Sequence, residues 1–205
     1  YFPPRPDTHH VRWLEVDPSD ADHLYVGIEA GALVQTHDRG ETWEDKVESS
    51  RFDNHSLATS SDAPERVHSA AGDGYAESHD HGETWQYPQE GLDHRYVWSV
   101  AVDPGDPDTV LVSSASGARS AHSLPAESYV YRREDGGAWE VAMDGLPGPD
   151  GLIRAVLEPG DAGECFALTN HGLFRSPDFG GSWEALDVPW DASFESQGGR
   201  GLVAV

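Results

Sequence analysis

Short runs of alternating hydrophobic and polar residues recur along the whole chain. The runs "VRWLEVDP", "VWSVAVDP" and "LIRAVLEP" each end at a turn signal, and a second run rich in Val or aromatic residues follows, as in "HLYVGIEAGALVQ". Alternation with a period of two predicts β-strands, and no stretch has a convincing helical period. The pattern therefore predicts a protein built of short strands.

A box of about ten residues repeats between these runs. "THDRGETWED" at 36–45 nearly matches "SHDHGETWQY" at 78–87, and weaker copies read "YRREDGGAWEVA" and "RSPDFGGSWEAL". The tryptophans of the four copies are 42, 54 and 44 residues apart. A repeat of roughly 40 to 55 residues is typical of the blades of a β-propeller.

Each repeat predicts four short antiparallel strands, the last beginning at the Thr-Trp of the box. A single four-stranded sheet cannot bury both of its faces, whereas stacked blades can, and ring closure removes most exposed edges. We therefore predict an all-β fold, a partial β-propeller over 1–205 with an innermost closing strand at 200–205. The four predicted blades are approximately 11–50, 51–91, 92–146 and 147–190.

The residue types in the box are those that a tight hairpin needs. An Asp side chain can accept backbone N–H groups across the turn, the Gly can take a positive φ, and the Trp buries a large ring while its indole N–H finds a carbonyl. In the third copy, Arg132, Glu134 and Ala138 replace the usual Ser/Thr, Asp and Thr. The residues assigned to this structural role are Asp38, Gly40, Trp43, Asp80, Gly82, Trp85, Gly136, Trp139, Asp178, Gly180 and Trp183.

With these boxes the chain resembles the BNR/Asp-box repeat β-propellers of the sialidase-like superfamily, and the resemblance covers 11–190. More narrowly, it resembles uncharacterised haloarchaeal BNR-repeat proteins, which are longer, so the chain is expected to be the C-terminal part of a propeller of about seven blades. The resemblance implies that the box lies at the blade rim, away from the ligand face. Because the family includes sialidases, receptors and assembly factors, function must be argued from other loops.

The composition adds a strong acidic bias. Acidic residues number 37 and basic residues 13, of which only Lys46 is lysine, and the net charge is −24. Dispersed acid with almost no lysine is typical of a halophile, because molar salt screens the self-repulsion. Such a surface disfavours a nucleic-acid partner, although a specific cationic partner stays an alternative. We favour the cytoplasm of a halophile as the location, with secretion as the alternative.

Two further absences limit the chemistry of the chain. Cys165 is the only cysteine, which excludes an internal disulfide and a Cys-based zinc site and favours a small buried residue. No apolar run is long enough to span a membrane.

The loops that enter the blades carry the candidate binding chemistry. In a four-stranded antiparallel blade, the entry loop and the hairpin between the second and third strands lie at one end, here called the entry-loop face. Three entry loops, "PDTHH", "FDNHS" and "LDHRY", place Asp close before His. The candidate ligand-binding residues are His9, His10, Arg12, Asp53, His55, His94, Arg95 and His122.

Several ligands fit such a set. Imidazole beside carboxylate suits a metal ion or a proton shuttle, whereas arginines suit an anion. The arginines favour an anion, and we assign no metal ligand and no cofactor. The alternative without a ligand is that these residues only cap turns, as the cations that a lysine-poor protein tolerates.

Two function classes compete. The first, which we favour, is a non-catalytic propeller that binds a small anionic ligand or a protein partner through the entry-loop face. The second is a sialidase-type glycoside hydrolase or lyase, whose Arg-Ile-Pro motif is absent here. The available carboxylates on this face are Asp7, Asp53, Asp93 and Asp150, and none is assigned a catalytic role.

Overall fold

A computed structural model describes residues 10–204, which form two compact units, one ending at Pro88 and the other beginning at Gln89. The candidate residues His9 and Asp7 lie outside the described residues. Each unit contains two antiparallel sheets whose neighbouring strands follow one another in sequence. This arrangement confirms the predicted all-β fold with blade-like sheets.

The first unit has two three-stranded sheets, in the orders β1-β2-β3 and β4-β5-β6. The fourth strand expected after each box is reduced to single bridges, Gln35–Glu44 and Glu77–Gln86. In the first sheet the next hydrogen bond runs from the Val47 N–H to the Leu33 carbonyl. Two residues on one side, 45 and 46, therefore lie opposite the single residue 34 on the other, and this bulge ends the regular pairing. The strands are β1 His10–Asp17, β2 Asp20–Glu29, β3 Leu33–Thr36, β4 Asn54–Thr59, β5 Val67–Ala71 and β6 Gly74–Ser78.

The second unit has two four-stranded sheets, in the orders β7-β8-β9-β10 and β11-β12-β13-β14. The long loop between β8 and β9 contains a short helix, α1, and a 3-10 helix follows β14. Residues 200–204 lie in no strand. A closing strand forms only where its backbone has a neighbouring strand to bond with, so the closing strand at 200–205 stays a prediction. The elements are β7 Tyr96–Asp103, β8 Asp106–Ala115, α1 Ala118–His122, β9 Ser128–Arg133, β10 Glu140–Val141, β11 Val156–Pro159, β12 Cys165–Thr169, β13 Gly172–Ser176, β14 Glu184–Ala185 and the 3-10 helix Ala192–Ser196.

Each unit buries a core between its two sheets. In the first unit, Tyr25 and Leu33 of one sheet pack with Leu57 and Val67 of the other and with Trp85. In the second unit, the corresponding cluster includes Leu111, Leu157, Phe174 and Trp183. All five residues of β5 are buried, and three of them, Ser69, Ala70 and Ala71, are small.

The boxes form the hairpins that their residue types require. The Asp80 carboxylate accepts the Ser78 hydroxyl at 2.7 Å, the Thr84 backbone N–H at 2.8 Å and the Thr84 hydroxyl at 2.6 Å. Asp38 and Asp178 accept the same set from their own turns. The three box glycines have positive φ, at +89° for Gly40, +84° for Gly82 and +92° for Gly180.

The third box replaces these bonds with an ion pair. Arg132 Nη1 lies 2.7 Å from Glu134 Oε1, while Gly136 keeps a positive φ of +67° and Trp139 stays buried. The indole ring and the glycine therefore persist where the Asp-type turn is lost.

Candidate functional site

The entry-loop face of the first unit brings three segments together. His10, at the start of β1, pairs in register with Glu29 at the end of β2. The loop into β4 docks beside them, because Asp53 Oδ1 accepts the Ala30 backbone N–H at 2.7 Å. The structure therefore joins an entry loop to the neighbouring hairpin, as the blade topology predicts.

Three side chains meet there in what we call the acid–histidine cluster: Glu29, Asp53 and His55. One ligand-type atom from each lies within 4.8 Å of the other two. The His55 side chain is fully buried at 0% exposure, whereas the Glu29 and Asp53 side chains are 27% and 26% exposed. A buried imidazole thus lies against two carboxylates that solvent can reach.

Two of the predicted ligand-binding residues lie at the edge of this cluster. His10 Nε2 is 2.8 Å from Glu29 Oε2, and Arg12 Nε is 3.9 Å from the same oxygen. Arg12 is therefore already beside a carboxylate, and the cluster is richer in acid than in base. The excess of acidic side chains disfavours the anionic ligand that the sequence analysis expects at the entry-loop face.

In the second unit, the predicted residue His94 belongs to an aromatic group that we call the tyrosine–histidine stack: His94, Tyr129 and Tyr131. The His94 and Tyr129 rings are nearly parallel, with centroids 4.1 Å apart and planes 14° apart. The Tyr131 hydroxyl lies 2.6 Å from His94 Nδ1. Burial, with nearby Asp93, raises the Tyr131 pKa to about 12, so this hydroxyl stays protonated and can donate to His94.

The outer ring of the stack is anchored by an acid. The Tyr129 hydroxyl donates to Glu127 Oε1 at 2.7 Å, and this hydrogen bond raises the Tyr129 pKa. The Tyr129 and His94 side chains are both half-buried. The stack is therefore held in place while part of its surface stays open to solvent.

His122, the last residue of α1, packs inward. Its Nε2 lies 3.0 Å from the Tyr96 hydroxyl, and its ring meets Trp98 edge-on with centroids 4.5 Å apart. The Arg154 guanidinium covers the Trp98 ring at 3.8 Å, and both of those side chains are buried. His122 is thus placed for packing α1 onto β7.

Arg95 is the predicted arginine that follows His94 in the same entry loop. It is exposed, and its Nε donates to the Leu92 carbonyl at 3.3 Å. Within residues 10–204 no carboxylate lies within ion-pair distance of it, whereas Arg39, Arg132 and Arg175 each have one. A cation with no acidic partner in so acidic a chain can attract an anionic group.

The predicted residues thus fall into separate groups. The first unit joins His10, Arg12, Asp53 and His55, and the second unit carries His94, Arg95 and His122. The sequence analysis did not assign Glu29, although it placed the hairpin between the second and third strands on this face, and it missed the stacking of Tyr129 on His94. Pairing the ends of β1 and β2 across their hairpin would have found Glu29 beside His10, whereas the stacking of Tyr129 on His94 spans two hairpins.

At the opposite end of the first unit, the turn between β1 and β2 forms a polar network with the second box. Asp17 Oδ2 lies 2.7 Å from His81 Nδ1 and 3.1 Å from the Tyr25 hydroxyl. Burial raises the Asp17 pKa, but hydrogen bonds from Ser19, His81 and Tyr25 outweigh it and hold the pKa well below its usual value. The network links the two sheets and is structural in character.

Comparison with known proteins agrees with this architecture. Residues 76–87 match the family model of the BNR/Asp-box repeat. No curated protein sequence matches the chain. Within residues 10–204, no helix has the length and hydropathy that a membrane crossing requires.

Solved structures with similar folds come from proteins of different function. An ancestral GH74 enzyme is similar at a TM-score of 0.67 and 15% identity, over 89% of this chain and 24% of that one. The GH74 xyloglucanase of Xanthomonas campestris is similar at 0.66 and 19%, over 87% and 30%. A chain of a nidogen/laminin complex is similar at 0.59 and 12%, over 88% and 66%. This chain therefore spans about a quarter to a third of the two enzymes, and the likeness shows the fold alone.

Proposed function

We propose that this BNR/Asp-box propeller chain is a non-catalytic binding module, and that the entry-loop face of its second unit takes an acidic saccharide. The observation that carries the proposal is Arg95, an exposed guanidinium with no acidic partner among residues 10–204, next in sequence to the tyrosine–histidine stack. The acidic composition, with Lys46 as the only lysine, supports a halophilic source.

The chemistry of these residues suits a sugar that carries a carboxylate. A guanidinium can bind a carboxylate through two parallel N–H groups, and an aromatic face can pack against a sugar ring. With Tyr131 donating to Nδ1, a neutral His94 carries its proton on Nε2, which is then a donor for a ligand oxygen. A uronic-acid oligosaccharide offers a carboxylate for Arg95, a sugar ring for the aromatic face and hydroxyl oxygens for His94 Nε2.

The similar structures make a saccharide a reasonable class of ligand. Two of them are GH74 enzymes, one named a xyloglucanase, so this blade architecture occurs in proteins that act on glycans. The similarity to the nidogen/laminin complex keeps a protein partner as the competing ligand class.

The test is calorimetric titration of the purified chain with oligogalacturonate and, separately, with neutral xyloglucan oligosaccharides. We expect the acidic sugar to bind more tightly. Arg95→Gln should weaken it by about 10- to 150-fold, since a hydrogen bond to a charged group contributes about 1.5 to 3 kcal/mol. Tyr129→Ala should weaken it as well, whereas Tyr129→Phe keeps the ring and should bind almost normally. Arg200→Gln, an exposed arginine of the same unit, is the matched control.

The neighbouring acid gives a test of the opposite sign. Asp93 lies two positions before Arg95 and is exposed, so its charge opposes an anionic ligand. Asp93→Asn should therefore tighten oligogalacturonate binding. Equal affinity for acidic and neutral sugars, with no effect of Arg95→Gln, would exclude an anion site at Arg95.

A glycoside hydrolase is the second candidate, and one observation favours it. Glu127 and Asp150 face each other across an isolated β-bridge, and Glu127 accepts the hydroxyl of Tyr129. Glycosidases require two carboxylates about 5 to 9.5 Å apart on the ligand face. Release of reducing ends from either sugar, abolished by Glu127→Gln or Asp150→Asn, would replace the binding module with an enzyme.

A further inference from the structure

We propose that the acid–histidine cluster of the first unit is a binding site for one divalent transition-metal ion, with Glu29, Asp53 and His55 as its ligands. The cluster offers one imidazole nitrogen and two carboxylate oxygens from three different chain segments, all within 4.8 Å of one another. Zn²⁺ is the probe that this donor set fits best.

The spacing is close to that of a coordinated ion. Zn²⁺ holds nitrogen and oxygen ligands at about 2.0 to 2.2 Å, so its ligands lie up to roughly 4 Å apart. Bringing the three atoms onto one ion therefore requires side-chain shifts of less than about 1 Å. The separation of His55 Nε2 from Asp53 Oδ2, 3.7 Å, is already in the range of two ligands on one ion and too long for a hydrogen bond.

The supporting structure fixes two of the three ligands. His55 lies on β4 with a fully buried side chain, so its imidazole has little freedom to turn. Asp53 is oriented by the Ala30 N–H at Oδ1, which leaves Oδ2 for an ion. Outer hydrogen bonds of this kind orient the ligands of metal sites and raise their affinity.

The imidazole selects among metal ions. Ca²⁺ and Mg²⁺ prefer oxygen ligands only, whereas imidazole suits Zn²⁺, Ni²⁺, Cu²⁺ and Fe²⁺. His10 can add a second imidazole, because its Nε2 lies 2.8 Å from Glu29 Oε2 and its side chain is exposed enough to turn. A two-histidine, two-carboxylate set would then satisfy four-coordinate zinc.

Arg12 opposes the ion. Its Nε lies 3.9 Å from Glu29 Oε2, so the guanidinium charge repels a cation bound to that carboxylate. An increase in metal affinity on loss of the Arg12 charge therefore distinguishes this site from a diffuse acidic surface. Loss of a positive charge at position 12 should tighten the site, whereas loss of a negative charge at position 29 or 53 should weaken it.

The experiment is titration of the EDTA-treated full chain with Zn²⁺ in excess Mg²⁺, which occupies unspecific carboxylates. We expect saturable binding of one Zn²⁺ per chain. Glu29→Gln and Asp53→Asn should each weaken it at least about 10-fold, and Arg12→Gln should tighten it several-fold. Glu48→Gln, which removes an exposed acid of the same unit, is the control and should leave the affinity unchanged.

Folding is checked in the same variants. Asp53→Asn keeps an oxygen for the Ala30 N–H, so its melting temperature without metal should match that of the parent. His55→Ala empties a buried position and is not needed for the test. Cobalt titration supplies a second readout, since visible absorption bands that Asp53→Asn removes report coordination by this site.

Several weak equivalents of Zn²⁺ that are insensitive to both carboxylate variants would overturn the proposal and assign the binding to the acidic surface. Absence of saturable binding by the parent chain would overturn it too. The saccharide proposal is unaffected by either result, because Arg95 and Tyr129 belong to the other unit. Arg95→Gln should leave Zn²⁺ affinity unchanged.

Discussion

The Asp80 carboxylate provides the most direct test of the role of the box. Asp80→Ala removes the acceptor of three hydrogen bonds, two from Thr84 and one from Ser78. Thr84 is exposed, so water can replace the carboxylate at its groups, whereas Ser78 is buried. We therefore expect most of the loss of stability to come from the buried Ser78 hydroxyl, which loses its acceptor, and from the turn, which loses its order in the variant.

The expected loss of stability follows from these bonds. A hydrogen bond to a charged group contributes about 1.5 to 3 kcal/mol net, and less where water replaces it. Asp80→Ala should therefore lower the free energy of unfolding by about 1 to 3 kcal/mol. For a chain of this length that corresponds to a drop in melting temperature of roughly 2 to 12 °C. Asp80→Asn keeps one acceptor oxygen and should lose less.

Melting of the purified variants, followed by tryptophan fluorescence and by calorimetry, measures this effect. Asp45→Ala, which removes an exposed acid of the same unit, is the control and should melt with the parent. An unchanged melting temperature in Asp80→Ala would refute the structural role of the carboxylate. Loss of ligand binding without a change in melting would instead make the box part of a site.

The other predictions concern burial, the thiol, acid and salt. Replacing Trp183, which is 6% exposed, with Ala should lower the free energy of unfolding by about 3 to 5 kcal/mol. Replacing Trp43, which is 47% exposed, should lower it much less, and denaturant titration measures both values. Burial raises the pKa of the Cys165 thiol, so thiol reagents should label it only as the second unit unfolds. The pKa of Asp17 is lower in the folded chain than in the unfolded chain. The stability that this carboxylate contributes is therefore present above about pH 4 and is lost as the pH falls further, which melting curves in acid would measure. With a net charge of −24, the melting temperature should rise from dilute buffer to molar KCl, and equal values would contradict the halophile prediction.

The box was the part of the fold most open to sequence reasoning, because its contacts are local. The bonds to Asp38 and Asp80 join residues at most four positions apart, so the residue types alone specify the turn. The reading did not foresee that the residue before each box glycine also has a positive φ, as Arg39 and His81 do. Nor did it foresee that Trp43 stays half exposed, at 47%, whereas the tryptophans of the other three boxes are buried.

The candidate site was harder to predict because its contacts are not local. Asp53 meets Glu29 and Ala30 across more than twenty positions, and the sequence gives no sign of which side chains a hairpin will bring to a neighbouring loop. Strand registers fixed the outcome: His10 pairs with Glu29, whereas Tyr96, at the start of β7, pairs with Ala115. A shift of one residue would have turned these side chains to opposite faces.

The same blade position therefore carries different chemistry in the two units. The start of β1 presents an imidazole to a carboxylate, and the segment that leads into β7 presents an imidazole to a tyrosine ring. The boxes at the other end keep their turn in three of four copies. Loops that need no fixed hydrogen bonds to hold the blade can change their residues without loss of fold, which is how one scaffold comes to carry unrelated sites. The proposed cation at Glu29 and the proposed anion at Arg95 are compatible in one chain for this reason, and each proposal is tested by a single charge substitution that leaves the boxes intact.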